Sequence, residues 1–118
     1  MEEKQILVFD TNAMEWEQRI NEGNKKVNYR KKLNDDPTTG GGYQLRKYPK
    51  GFHVPRHFHS ASHGVYVLEG HFWSDGKVYG PGTVLWYPQG VIAEHGATDD
   101  EDVVVFFFTD GKFDTYYV

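Results

Sequence analysis

From Gly42 onward, hydrophobic and polar positions alternate in short runs that read as strands. "YQLRKY", "GVYVLEG", "HFWSDGKVYG", "TVLWYP" and "DVVVFFFTD" are rich in β-branched and aromatic residues and are bounded by Gly, Pro or Asp. Within the third run, "SDGK" (Ser74 to Lys77) predicts a tight hairpin, because Asp-Gly tolerates the positive φ that two-residue turns demand. Helical periodicity is weak: only Asn12 to Asn21 ("NAMEWEQRIN") predicts two helical turns, capped by Asn12 and stopped before Gly23. The expected fold class is all-β, a sandwich or barrel in one domain over residues 1–118, with an N-terminal extension over 1–41 and the barrel over 42–118. "NDDPTTGGG" (Asn34 to Gly42) leads into the barrel rather than dividing two domains.

Val103 to Phe108 is apolar at every position, so both faces of that strand need cover. One face serves the core, with Phe106 and Phe108 on the side opposite Val105 and Phe107. The other needs the N-terminal segment or a second subunit, and a homodimer is expected.

With 118 residues the chain supports one core. A net charge of −4 argues against nucleic acid or anionic membrane as partner, since both call for a clustered positive surface. The one basic stretch, Asn24 to Lys32, is flanked by acidic residues and reads as a solvated face. The absence of cysteine removes disulfides, thiolate metal sites and a Cys nucleophile. An acidic N-terminus without a long apolar run, and no membrane-length segment, lead us to expect a soluble cytoplasmic protein.

Chemistry concentrates in "GFHVPRHFHSASHG" (residues 51–64), which holds four of the six histidines. Residues two apart on a strand share a face, so His57 and His59 point together while Phe58 points away. His63 opens the next strand, where it shares a face with Val65 and Val67. His95, distant in sequence, is a fourth candidate, and Glu94 beside it should point the other way. One inward histidine is ordinary core, but three in seven positions each need a polar partner, and a divalent metal serves them all. His53, cut off by Pro55, and His71, at a strand end, read as structural or exposed.

These residues resemble the cupins. The first cupin motif, G-x5-H-x-H-x3-E-x6-G, is matched by Gly51, His57, His59 and Gly70, with His63 where the pattern has glutamate. The second, G-x5-P-x-G-x2-H-x3-N, is matched by Gly82, Pro88 and Gly90; Ala93 stands at the histidine position, His95 follows two residues late, and no asparagine follows at the expected spacing. The resemblance covers about residues 42–110 and implies a double-stranded β-helix, or jelly-roll barrel, with an N-terminal extension. "MEWEQ", "KKLNDDPTTGGGYQLRKYPKG", "RHFHSASHGVYVLEGHFW" and "GTVLWYPQG" are further similar to single-domain cupins related to acetylacetone-cleaving and 2,4'-dihydroxyacetophenone dioxygenases. That likeness implies a three-histidine iron site: His57 and His59, with His95 if a bulge or longer loop absorbs its offset, and otherwise His63.

The resulting expectation is a metal-dependent enzyme, a non-haem Fe(II) dioxygenase using O2 to cleave a small diketone or hydroxyketone; Zn, Ni, Mn and Cu also suit imidazole. Arg46 and Gln44 could reach a polar substrate group, whereas Arg56 more naturally points away. Two alternatives stand beside it. One is a metal- or ligand-binding sensor module without turnover. The other is a zinc-type isomerase or hydrolase with Glu69 or Glu94 as base.

Overall fold

The computed structural model describes residues 4–118. Among the described residues eleven strands are present: β1 (Glu17–Ile20), β2 (Val27–Asp35), β3 (Gly42–Tyr48), β4 (His53–His59), β5 (His63–Glu69), β6 (Phe72–Ser74), β7 (Lys77–Tyr79), β8 (Val84–Tyr87), β9 (Ala93–Ala97), β10 (Val103–Thr109) and β11 (Thr115–Tyr117). They form two antiparallel sheets, one ordered β1-β2-β3-β10-β5-β8 and the other β11-β4-β9-β6-β7. This is the jelly-roll barrel that the strand pattern and the cupin resemblance imply. Among the described residues no helix is long and apolar enough to cross a membrane.

The helix expected over Asn12 to Asn21 does not form. A single 3-10 turn covers Thr11–Ala13, and its cap is Asp10, whose side chain accepts from the Asn12 amide. Glu17 to Ile20 instead pair with Arg30 to Val27 of β2, and the Glu17–Arg30 ion pair reinforces that register. Eight to ten residues of modest helix propensity cannot compete with a ladder that satisfies their backbone on a sheet edge. The extension therefore supplies two strands of the larger sheet.

The predicted hairpin is present: Ser74 pairs with Lys77, and Asp75 and Gly76 both take positive φ. In β10, Val103, Val105 and Phe107 are buried in the core with Val65, Val67 and Phe72, which fixes the inner face. Phe106 and Phe108 lie on the outer face, against Tyr43 and Trp86 respectively. Phe9 of the N-terminal segment covers part of that face through an edge contact on Tyr43. Tyr66, Leu68, Val84 and Trp86 stay exposed on it, Trp86 at 52%.

Two bulges reverse the alternation of side chains. In β4, Val54 pairs with His95 and His57 with Ala93, so one extra residue lies at Pro55–Arg56. Val54 and His57, three apart, thus both face inward, while His53 faces out. In β5, Val67 pairs with Val105 and Glu69 with Val104, so Leu68 is the extra residue and Glu69 turns outward.

Glycine is obligatory where β9 crosses the start of β4. A Cβ on Gly96 would stand 1.8 Å from the Phe52 carbonyl oxygen, a backbone atom without freedom to retreat. Gly96→Ala should cost about 3 kcal/mol or more, read as a lowered midpoint in urea denaturation; a midpoint equal to wild type would contradict this packing.

Candidate functional site

Strand alternation, as amended by the β4 bulge, brings four histidines into one interior cluster. His57 and His59 come from β4, His63 from the start of β5 and His95 from β9, and all four are buried. Ring centroids are separated by 4.6 Å for His57–His59, 4.9 Å for His59–His63, 5.0 Å for His57–His95 and 6.5 Å for His63–His95. A metal held at about 2.1 Å by ring nitrogens places neighbouring ring centroids roughly 5 Å apart, so the spacing suits a shared ion. The donor atoms do not yet converge as the ring centroids do: no three His, Asp or Glu among the described residues present a metal-holding geometry.

The two-residue offset of His95 is one full β period. Ala93, at the motif position, pairs with His57 and is buried; His95, two residues on, keeps the same inward face and pairs with Val54. The offset thus keeps the inward face without a bulge in β9 itself; the irregularity of this pair lies in the opposing strand β4.

Hydrogen bonds fix two of the rings. His57 Nδ1–H donates to the Pro55 carbonyl at 2.5 Å, an acceptor that assigns the tautomer and leaves Nε2 with a free lone pair. His59 Nδ1 lies 3.3 Å from the Asp114 carbonyl and 3.1 Å from Thr115 Oγ1, and donation to the carbonyl again frees Nε2. Both nitrogens of His63 and Nδ1 of His95 are buried without a hydrogen-bond partner. Each such orphan costs about 1–3 kcal/mol unless something ligates it. One nitrogen from each of His63 and His95, together with the freed Nε2 atoms of His57 and His59, is what a cation would satisfy, so the donor set fits a divalent metal.

All four rings are held neutral. Burial is the main cause throughout. It lowers His57, and it brings His59 to about 3 with the help of His57, and His63 to about 2 with the help of His59. His95 is driven well below the usual range by burial and then by His57. Arg46 adds positive potential at all four. Its guanidinium sits 3.6 Å above the Phe107 ring, which itself stacks near His63.

Aromatic walls enclose the cluster. Tyr87 lies parallel to His63 at 4.6 Å, Phe113 stacks on His59 at 3.8 Å, and Phe72 stacks near His95 at 5.5 Å. Tyr87 is held by Ser74: the Ser74 hydroxyl donates to Asp75 Oδ2 at 2.9 Å and accepts from Tyr87 Oη at 2.6 Å.

The remaining candidates lie outside the cluster. Glu69 is exposed, turned away by the Leu68 bulge, and Glu94 alternates outward between Ala93 and His95. Neither is placed to act as base on a ligand held by the histidines. Gln44 is tied to Arg46, accepting from its Nε at 3.2 Å, and Arg56 is exposed. His53 stacks on Trp73 with Nε2 3.0 Å from the Ala97 carbonyl, and His71 pairs with Glu101 at 2.6 Å, both away from the site. Phe113, Thr115 and Tyr117 also border the cluster, and their signal in the sequence is no more than the short β-prone tail "FDTYY".

The family model for the ChrR cupin-like domain matches residues 4–114. A protein of unknown function with a cupin-like fold from Ralstonia eutropha superposes with a TM-score of 0.77 at 22% identity, covering 98% of this chain and 79% of that one. A proposed dioxygenase from Nostoc punctiforme gives 0.80 at 17% identity over 93% of this chain and 41% of its own. The polyketide cyclase RemF from Streptomyces resistomycificus gives 0.75 at 20% identity, with coverage of 98% and 86%. Such likenesses carry the fold, and the three descriptions name different activities. No curated protein matches the chain in sequence.

Because the folded rings resist protonation and the unfolded ones do not, metal-free protein should be most stable above about pH 6.5. Stability should fall as pH drops below that value toward the folded values of about 3 and about 2 for His59 and His63. Thermal melting of chelator-treated protein between roughly pH 8 and 5 checks this; a flat melting temperature would contradict the buried neutral rings.

Proposed function

Since the chain belongs to the ChrR cupin-like domain family, we propose that it is a metal-dependent cupin enzyme acting on a small carbonyl compound. The finer reading is Fe(II)-dependent, O2-consuming cleavage of a diketone or hydroxyketone. One observation supports it: four buried neutral imidazoles converge, three of their nitrogens lack partners, and among the described residues no carboxylate shares the cluster. When bound there, a divalent ion supplies Lewis acidity at a charge that no carboxylate offsets, which favours an anionic enolate. The protein's own part is positional. The Pro55 and Asp114 carbonyls hold the rings of His57 and His59, while Phe113, Tyr87 and Phe107 keep the surroundings dry.

A non-oxidative second reading has one specific support, the near full-length likeness to a polyketide cyclase. Oxygen uptake by Fe(II)-loaded protein given a β-diketone supports cleavage by oxygenation, whereas product formed under nitrogen supports the second reading. Elemental analysis of variants tests the site itself. His57→Ala and His59→Ala should each lower metal content at least tenfold, His53→Ala should leave it unchanged, and His63→Glu should retain it. Equal metal in all four would remove the assignment.

We also propose that the chain pairs with a second copy of itself. Each chain exposes an extended apolar run, Ile6 to Val8, with Ile6 at 91%, as well as the apolar outer face around Trp86. Reciprocal exchange of arm and face closes a two-fold dimer with neither left open. Light scattering should give a dimer mass for wild type and a monomer for Trp86→Glu; a monomeric wild type would defeat the proposal.

A further inference from the structure

A cavity of about 180 Å³ opens at the mouth of the barrel, one side-chain layer from the histidines. Its lining includes Arg19 of β1, Asn28 of β2, Arg46 of β3, Thr115 and Tyr117 of β11, and Glu22. Three of these residues touch the cluster or its walls. Thr115 Oγ1 contacts His59 Nδ1, the Tyr117 ring is 6.0 Å from His57, and Arg46 covers Phe107.

The arginines are brought together by register. Arg19 pairs with Asn28, Arg30 with Glu17, and Arg46 with Arg30, so the three project from neighbouring positions on one face. Arg30 is neutralised by Glu17, through two hydrogen bonds of 3.2 Å. Arg19 and Arg46 make no ion pair among the described residues, although Glu22 shares the cavity. Arg19 is exposed overall, yet its guanidinium is held below its usual range by partial burial and then by the like charges of Arg30 and Arg46. Arg46 commits its Nε to Gln44, which leaves its terminal nitrogens beside the guanidinium of Arg19 without an ion pair among the described residues, an arrangement that can grip a carboxylate. The volume, about 180 Å³, equals about six waters at about 30 Å³ each, which suits a short acid.

We propose that this cavity is an anion subsite for the carboxylate of a short-chain keto acid, gripped by Arg19 and Arg46 with its carbonyl end toward the histidines. The carbonyl half of the assignment rests on the metal reading above; the carboxylate half does not. Arg46 then has a double place, over Phe107 of the inner wall and at the acid's head. Arg19, from the segment preceding the barrel, sets specificity.

The test titrates metal-free full-length protein with acetoacetate and with its neutral isostere acetoacetamide, following backbone amide shifts by NMR. Acetoacetate should bind at least tenfold more tightly, with the largest shifts at Thr115, Tyr117 and Arg19, and the preference should weaken as salt is added. Arg19→Gln and Arg46→Gln should each cut the preference at least threefold, while Arg56→Gln on the outer surface should change nothing. Equal affinity for the two ligands, no saturable acetoacetate binding, or a preference surviving Arg19→Gln together with Arg46→Gln would overturn the subsite. Metal content, measured separately, decides the metal reading alone: protein that takes up no metal yet prefers acetoacetate keeps the anion site and loses the carbonyl orientation.

Discussion

Everything at the centre of this barrel follows from the cost of charging an imidazole away from water. Four histidines share one interior; burial and the potential of Arg46 push all of them toward the neutral form, and repulsion from neighbouring rings adds to this at His59, His63 and His95. Neutral rings carry lone pairs, and backbone carbonyls beside His57 and His59 decide which nitrogen keeps the proton. The surrounding aromatics serve the same constraint, since a flat ring stacked on imidazole excludes water without offering it a counter-charge. A carboxylate among these rings would relieve their repulsion and cancel part of a bound cation's charge. The arrangement instead leaves that charge for a ligand to answer.

Where the chain departs from simple alternation, the departures sort the candidates. The bulge at Pro55–Arg56 lets Val54 and His57 both face inward across three residues and sends His53 outside to stack on Trp73. The bulge at Leu68 does the same to Glu69, which even spacing from His63 would have brought inside. One inserted residue in each strand thus separates a ligand-like histidine from a structural one, and removes an acid from the interior.

Much of this was legible in the sequence because the period of a strand is short and strict. The hairpin at Asp75–Gly76, the common face of His57 and His59, and the inward run of His63, Val65 and Val67 all follow from it. The offset of His95 was legible too, once two residues are seen to be one period. The helix over Asn12 to Asn21 fails because its competitor is a long-range pairing with β2, which local propensity does not register. Phe113, Thr115 and Tyr117 escaped for the same reason, since their place beside His59 and His57 is set by β11 pairing with a strand more than fifty residues away. Arg19 becomes interesting only when β1 and β2 are known to carry the sheet over the mouth.

The hairpin between β6 and β7 has a further consequence for how such a protein can change over time. Asp75 at its tip caps Ser74 through one carboxylate oxygen and accepts the Glu94 amide through the other; Ser74 holds the Tyr87 hydroxyl, and Tyr87 lies flat on His63. A turn that looks like free surface is therefore tethered, through three side chains, to a buried ring of the histidine cluster. Drift at this exposed tip is restrained from within, and an insertion there would be felt as a loosened histidine before it was felt as a lengthened loop.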